Sequence, residues 1–312
     1  MPGREAIPKL SNWGRWGKED EKGTANFITP EIIVAAAKLV KKGKVICCCI
    51  PIDQAGPVFP TRTPAQRFMS ILNVPVKEVG LPGSAIANDD YITMYLQGST
   101  QWDSLAHVGY ENKFYNDTPT SAVTAHGGAA RNDIGKLYQS FVTRGVLLDM
   151  VRYKGCEKEG HLPKDYPITV ADLDGCAQAQ KVEVKSGDAL CIRTGWVPYW
   201  YTLKTHDEKE AYFHAQPGVS VYTAEWIQKK EISSIAVDNI AVERLPSEID
   251  EEFIPFHQVA IRDLGLSLGE IFIFEELAKD CAADGVYEFL WVAPPLYIPH
   301  AVGSPLNPLA IK

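Results

Sequence analysis

No apolar run in the 312 residues reaches the roughly 20 needed to cross a bilayer. The opening MPGREAIPKL has no apolar signal core either. No membrane partner is expected, and the residence is read as cytoplasmic. Positive charge is scarce: 31 Lys and Arg against 39 Asp and Glu leave a net charge of -8. Binding to a phosphate backbone needs clustered cations, so a nucleic-acid partner is not expected. The one basic cluster, Lys38, Lys41, Lys42 and Lys44, reads as the solvated end of a helix. No CxxC pair occurs, which removes the commonest zinc and redox signatures. Three of the seven cysteines are consecutive, Cys47, Cys48 and Cys49, inside the apolar run VICCCIPI. Neighbours on a strand face opposite sides, so these three cannot converge on one metal. Reduced thiols buried in a strand are the expectation.

What is present fits an ordinary globular chain, with 46% hydrophobic and 22% charged residues. Internal repeats and a clear linker are missing, so one α/β domain over residues 1–312 is expected, with the first ~30 residues as an arm. PEIIVAAAKLVKK at 30–42 opens with Pro and closes before Gly43, which predicts a helix. A buried strand follows at VICCCIPI. Residues 56–90, rich in Pro, Gly and Ala, predict loops, and 109–136 a long irregular stretch. FVTRGVLLDMV, KSGDALCIRTGW, SSIAVDNIAVE and YEFLWVAP predict strands; residues 169–180, 220–230, FHQVAIRDLGL and FEELAKDCA predict helices. A short polar strand is expected at Glu270.

In QGSTQWDSLAH the polar residues Gln97, Ser99, Gln101 and Asp103 alternate, so an extended strand would place them on one face. Such a row is either a solvated strand or an active-site wall. The stretch resembles the motif His-x-Gly-Thr-His-x-Asp-x-Pro-x-His of the cyclase family. These are metal-dependent hydrolases that include bacterial kynurenine formamidase, isatin hydrolase and a manganese-dependent dienelactone hydrolase. Thr100, Asp103 and His107 match the motif; Gln97 and Gln101 stand at its two leading histidines, Ser99 at the glycine and Leu105 at the proline. The segment from Arg15 to Pro30, GVLLDMVRYKG, SGDALCIRTGW, FHQVAIRDLGLSLGEIFIFEELA and APPLYIPHAVGSPLNPLAI are similar to further blocks of the family, in order along the chain.

The resemblance implies a single-domain β/β/α swivelling fold, a homodimer or tetramer, and one or two divalent ions. It implies Asp103, His257 and Glu270 as metal ligands and His107 as the proton carrier. Two carboxylates and an imidazole suit Zn or Mn without a thiol. A bound ion acidifies its water and polarises a carbonyl, which hydrolyses an amide, lactone or ester without a protein nucleophile. An amide at Gln97 or Gln101 is a weaker, uncharged donor than imidazole. Three arrangements remain open: a single ion at Asp103, His257 and Glu270; Mn or Mg held partly by Gln; or no metal, with both Gln bonding a substrate. One ion is expected in preference to two. Thr100 and Trp102 join Gln97 and Gln101 as weak ligands or substrate contacts, and the aromatics Trp102, Tyr110, Phe114 and Tyr115 suggest a small cyclic or aromatic substrate. A ring-closing or dehydrating reaction on the same site, and a metal-free binding protein, are the alternatives to hydrolysis.

Overall fold

A computed structural model describes residues 3–312. Its frame is a curled, nine-stranded mixed sheet. In chain order the strands are β1 (Val45–Cys47), β4 (Gln101–Asp103), β5 (Val142–Asp149), β6 (Ala189–Arg193), β7 (Ser234–Val237), β8 (Ser267–Glu270), β9 (Glu288–Val292), β10 (Gly303–Pro305) and β11 (Leu309–Ile311), with β2 (Gln66–Pro75) and β3 (Ile86–Thr93) outside the sheet. The spatial order is β1-β11-β9-β5-β6-β7-β8-β4-β10. Strands β5 to β8 run parallel, whereas the flanking pairs are antiparallel.

The parallel centre is buried on both faces, as near-continuous apolar runs such as GVLLD require. Val146, Leu148, Leu190, Ile192, Ile235 and Val237 join one core, while Leu147, Ala189, Cys191 and Ala236 point into the other. Helix α1 (Pro30–Ala37) starts on its Thr29 cap, and α2 (Val170–Ala179) on a capping box between Thr169 and Asp172. Helix α3 (Glu275–Asp284) ends at Gly285, φ 72°. No helix among the described residues is long and apolar enough to cross a membrane.

Four sequence expectations are corrected. Residues 66–93 form a β-hairpin, β2 with β3, whose residues are exposed along nearly its whole length. Neither of its faces is buried within the chain, so the alternation that marks a strand never developed. Only Gln101–Asp103 of the polar row is strand; Gln97 to Thr100 is a turn, with the Gly98 N–H donating to the Tyr95 carbonyl. Helix α1 stops at Ala37, and Lys42 and Lys44 pair instead with Asp280 and Asp284 of α3. Of the three consecutive cysteines Cys48 alone is buried.

Residues 255–264 are helical as the sequence predicts, but from Gln258 to Leu264 the turns are π-helical. Such turns often mark functional positions. The helix leaves through Gly265 at φ 66°, and a Cβ on Gly23 would sit 2.0 Å from the Gly265 carbonyl oxygen. That close approach, together with the Trp13 indole donating to the Arg262 carbonyl, holds the N-terminal segment against the helix that carries His257.

Candidate metal centre

Strand β4 lies between β8 and β10, and its three residues are fully enclosed. Register places Gln101 opposite Glu270 and Asp103 opposite Gly303. Directly opposed side chains on an antiparallel pair are within reach of one another, and the Gln101 Nε2 donates to Glu270 Oε2 at 2.6 Å. His257, at the end of the short helix over Pro255–His257, brings its Nε2 to 3.1 Å from Glu270 Oε1 and 3.8 Å from Asp103 Oδ2. One donor atom each from Asp103, His257 and Glu270 lies within 4.8 Å of the other two. Residues separated by up to 167 positions in sequence thus converge, as the sequence reading expects of its three ligands.

Glu243 was not foreseen. Its carboxylate accepts from the backbone N–H groups of Phe256 and His257, and its Oε1 lies 2.7 Å from His257 Nδ1. Anchoring Nδ1 turns Nε2 toward the centre, the arrangement that orients ligating imidazoles. Burial opposes a charge on His257, but Glu243 and Glu270 outweigh it and raise the imidazole to about 10. Burial, reinforced by Glu270, pushes the Asp103 carboxyl well above the usual carboxylate range. A buried carboxylate in that condition needs either a proton or a cation.

The polar row carries a second mark. Gln97 Nε2, Ser99 Oγ, Gln101 Oε1 and both Asp103 carboxylate oxygens are buried without a hydrogen-bond partner among the described residues. Buried polar atoms are nearly always partnered, and these five fall within residues 97–103. The donor set and its reach fit a divalent ion held by Asp103, His257 and Glu270.

His107 stands beside this cluster, its Nε2 3.7 Å from Asp103 Oδ1, beyond hydrogen-bond range. Burial, then the charges of His257 and Arg62, push its imidazole down to about 3. It is therefore neutral near pH 7. Arg62, also unforeseen, donates through Nη1 to the Gln97 carbonyl at 2.6 Å. Thr100 is taken up by the backbone: its Oγ1 accepts from the Ile50 N–H and donates to the Ile271 carbonyl. Trp102 is fully buried among Phe141 and Phe272, its indole N–H donating to the Ala293 carbonyl. Tyr110 and Tyr115 bond through their hydroxyls to Asp263 and Asp20. Gly303–Pro305 forms the edge strand β10 that flanks Asp103.

A curled mixed sheet carrying a buried cluster of two carboxylates and an imidazole, of a type that could hold a metal ion, marks an α/β protein. The sequence model of the Cyclase family matches residues 16–244, and the chain belongs to that family. A crystal structure described as a novel cyclase is 47% identical, with a TM-score of 0.90, covering 98% of this chain and 100% of its own. Isatin hydrolase A from Labrenzia aggregata shares the fold at 14% identity, with a TM-score of 0.61 over 89% of this chain and 96% of its own. A predicted metal-dependent hydrolase from Bacillus stearothermophilus does so at 16% identity, with a TM-score of 0.51 over 86% and 97%. A search of curated proteins finds no match.

Proposed function

We propose that the chain is a metal-dependent hydrolase that opens an amide, lactone or ester bond in a small, cyclic or aromatic molecule. The observation that carries this reading is the orphaned Asp103 carboxylate, enclosed within reach of His257 and Glu270. The isatin hydrolase and metal-dependent hydrolase among its structural neighbours support the same reaction class. Asp103, His257 and Glu270 hold one ion, Zn or Mn by donor type, with Mg the weaker fit. Such an ion acidifies water and polarises a carbonyl.

The remaining residues serve that centre. Glu243 fixes the His257 ring, and Gln101 steadies Glu270 through its Nε2. The Gln101 amide oxygen and the Gln97 amide nitrogen stay free to meet a substrate. Two neutral amides make a second ion site weak, which favours a single ion. Neutral His107 accepts a proton during attack and returns it to the leaving group. Arg62 adds positive charge where negative charge develops on the substrate oxygen. Thr100 and Trp102 hold β4 in place rather than touching substrate.

The test separates ligand from proton carrier. Asp103→Ala should remove the metal and the activity together. His107→Ala should keep the metal and lower kcat by about 10²- to 10⁴-fold in a screen of amides, lactones and cyclic imides. Equal metal loss in both variants would make His107 a ligand and refute its assigned role.

A further inference from the structure

The alternation expected of a strand sorts the three consecutive cysteines. The Cys48 N–H donates to the Pro308 carbonyl, and the Cys48 carbonyl accepts from the Ile273 N–H, so the backbone is held on both sides. Cys48 is buried, while Cys47 is exposed and Cys49 half-buried. Cys47 and Cys49 lie on the opposite face from Cys48 and bring their Sγ atoms to 3.2 Å from each other. The Oδ1 of Asn307, two residues before β11 begins, lies 3.1 Å from both sulfurs. The three donor atoms form a nearly equilateral triangle on the surface, at the edge strand of the sheet.

We propose that Cys47, Cys49 and Asn307 form a second metal site, for a soft d10 cation such as Zn²⁺ or Cd²⁺. Metal–sulfur bonds of about 2.3 Å reach one ion from both sulfurs across that gap. Thiolates select such ions over Mg, Ca and Mn, whereas the Asp103 centre offers only oxygen and nitrogen. Each thiol releases a proton to solvent as its bond to the ion forms, and no electrons move. A disulfide is the poorer use of the pair. Strand residues two apart have Cα atoms about 6.6–6.8 Å apart, at the upper limit of disulfide geometry. A cation bridges the sulfurs without moving the backbone. The Asn307 oxygen supplies a third donor, and the outer face stays open to solvent, so the ion exchanges readily.

Cadmium distinguishes this site from the Asp103 centre, because its ultraviolet charge-transfer band needs thiolate and an ion on Asp103, His257 and Glu270 adds nothing to it. Fully reduced protein titrated with Cd²⁺ should develop the band with a stoichiometry of about one per chain. Cys47→Ser and Cys49→Ser should each weaken binding by about tenfold or more, with melting temperatures near wild type. Cys156→Ser, at the other thiol outside the core, should leave the band unchanged, and Asn307→Ala should weaken it by less than the cysteine changes. The proposal is overturned by a band that survives both cysteine substitutions. It is equally overturned by wild-type protein with titratable thiols and no band, or by a Cys47–Cys49 disulfide found by mass spectrometry in place of the metal.

Discussion

Gln101 and Glu243 do at the residue scale what the three proposed ligands alone cannot. One holds Glu270 by its Nε2, the other holds His257 by its Nδ1, and each fixes a donor atom of the proposed centre. Glu243→Gln keeps an acceptor for Nδ1 but removes the charge. Metal affinity should fall by about 10- to 100-fold, measured by calorimetric titration, while the fold persists. Unchanged affinity would show that Glu243 only caps the backbone at Phe256 and His257. The convergence of Asp103, His257 and Glu270 was legible because their motif and blocks occur in order along the chain. Glu243 was not. It reaches the centre only because the chain returns over residues 243–257, and nothing in SSIAVDNIAVE marks a glutamate for that duty. Likewise Trp102 reads as a site wall in sequence, yet its place in the strand alternation sends it to the core opposite Asp103.

At the scale of elements, long runs were legible and short ones were not. β5, β6 and β9, α2 and α3 follow from apolar runs, caps and breakers. Strand β4 spans three residues, too few to show a period, and its identity comes from pairing with β8 and β10. The lysines after α1 were misread for a related reason: their partners lie on α3, more than 230 positions away. Burial works against ionising Asp280, but the ammonium groups of Lys44, Lys312 and Lys42 outweigh it and hold the carboxyl well below its usual range. A carboxyl with a lowered folded value contributes stability above its unfolded value of about 3.9, and loses that contribution as pH falls below it. Asp280→Asn should therefore lower the melting temperature at pH 7 and flatten its decline between roughly pH 5 and pH 2. An unaltered acid profile would show that these ion pairs add nothing to stability.

For the whole molecule, the hairpin of β2 and β3 is the feature that a single chain leaves unexplained. Phe68, Leu72, Ile86 and Tyr91 are 45%, 65%, 64% and 56% exposed, and an isolated two-stranded hairpin is marginal in water. We propose that a second copy of the chain covers it, in keeping with the homo-oligomer implied by the family resemblance. Replacing Phe68, Leu72 and Ile86 by Ser should shift the molar mass measured by light scattering from oligomer to monomer. A wild-type chain that is monomeric at micromolar concentration would contradict this. The family and sheet architecture were readable across the chain; the hairpin was not, because neither of its faces is buried within the chain.

The measurement that tests the account most directly is the metal content of protein purified without chelator, read beside the melting temperature of the stripped chain with and without added Zn or Mn. With the surface thiol site removed by Cys47→Ser, the account predicts about one equivalent of divalent ion per chain and a rise in melting temperature on its return, both lost when Asp103→Ala is added. Protein that purifies without metal, and whose melting temperature neither ion moves, would contradict it.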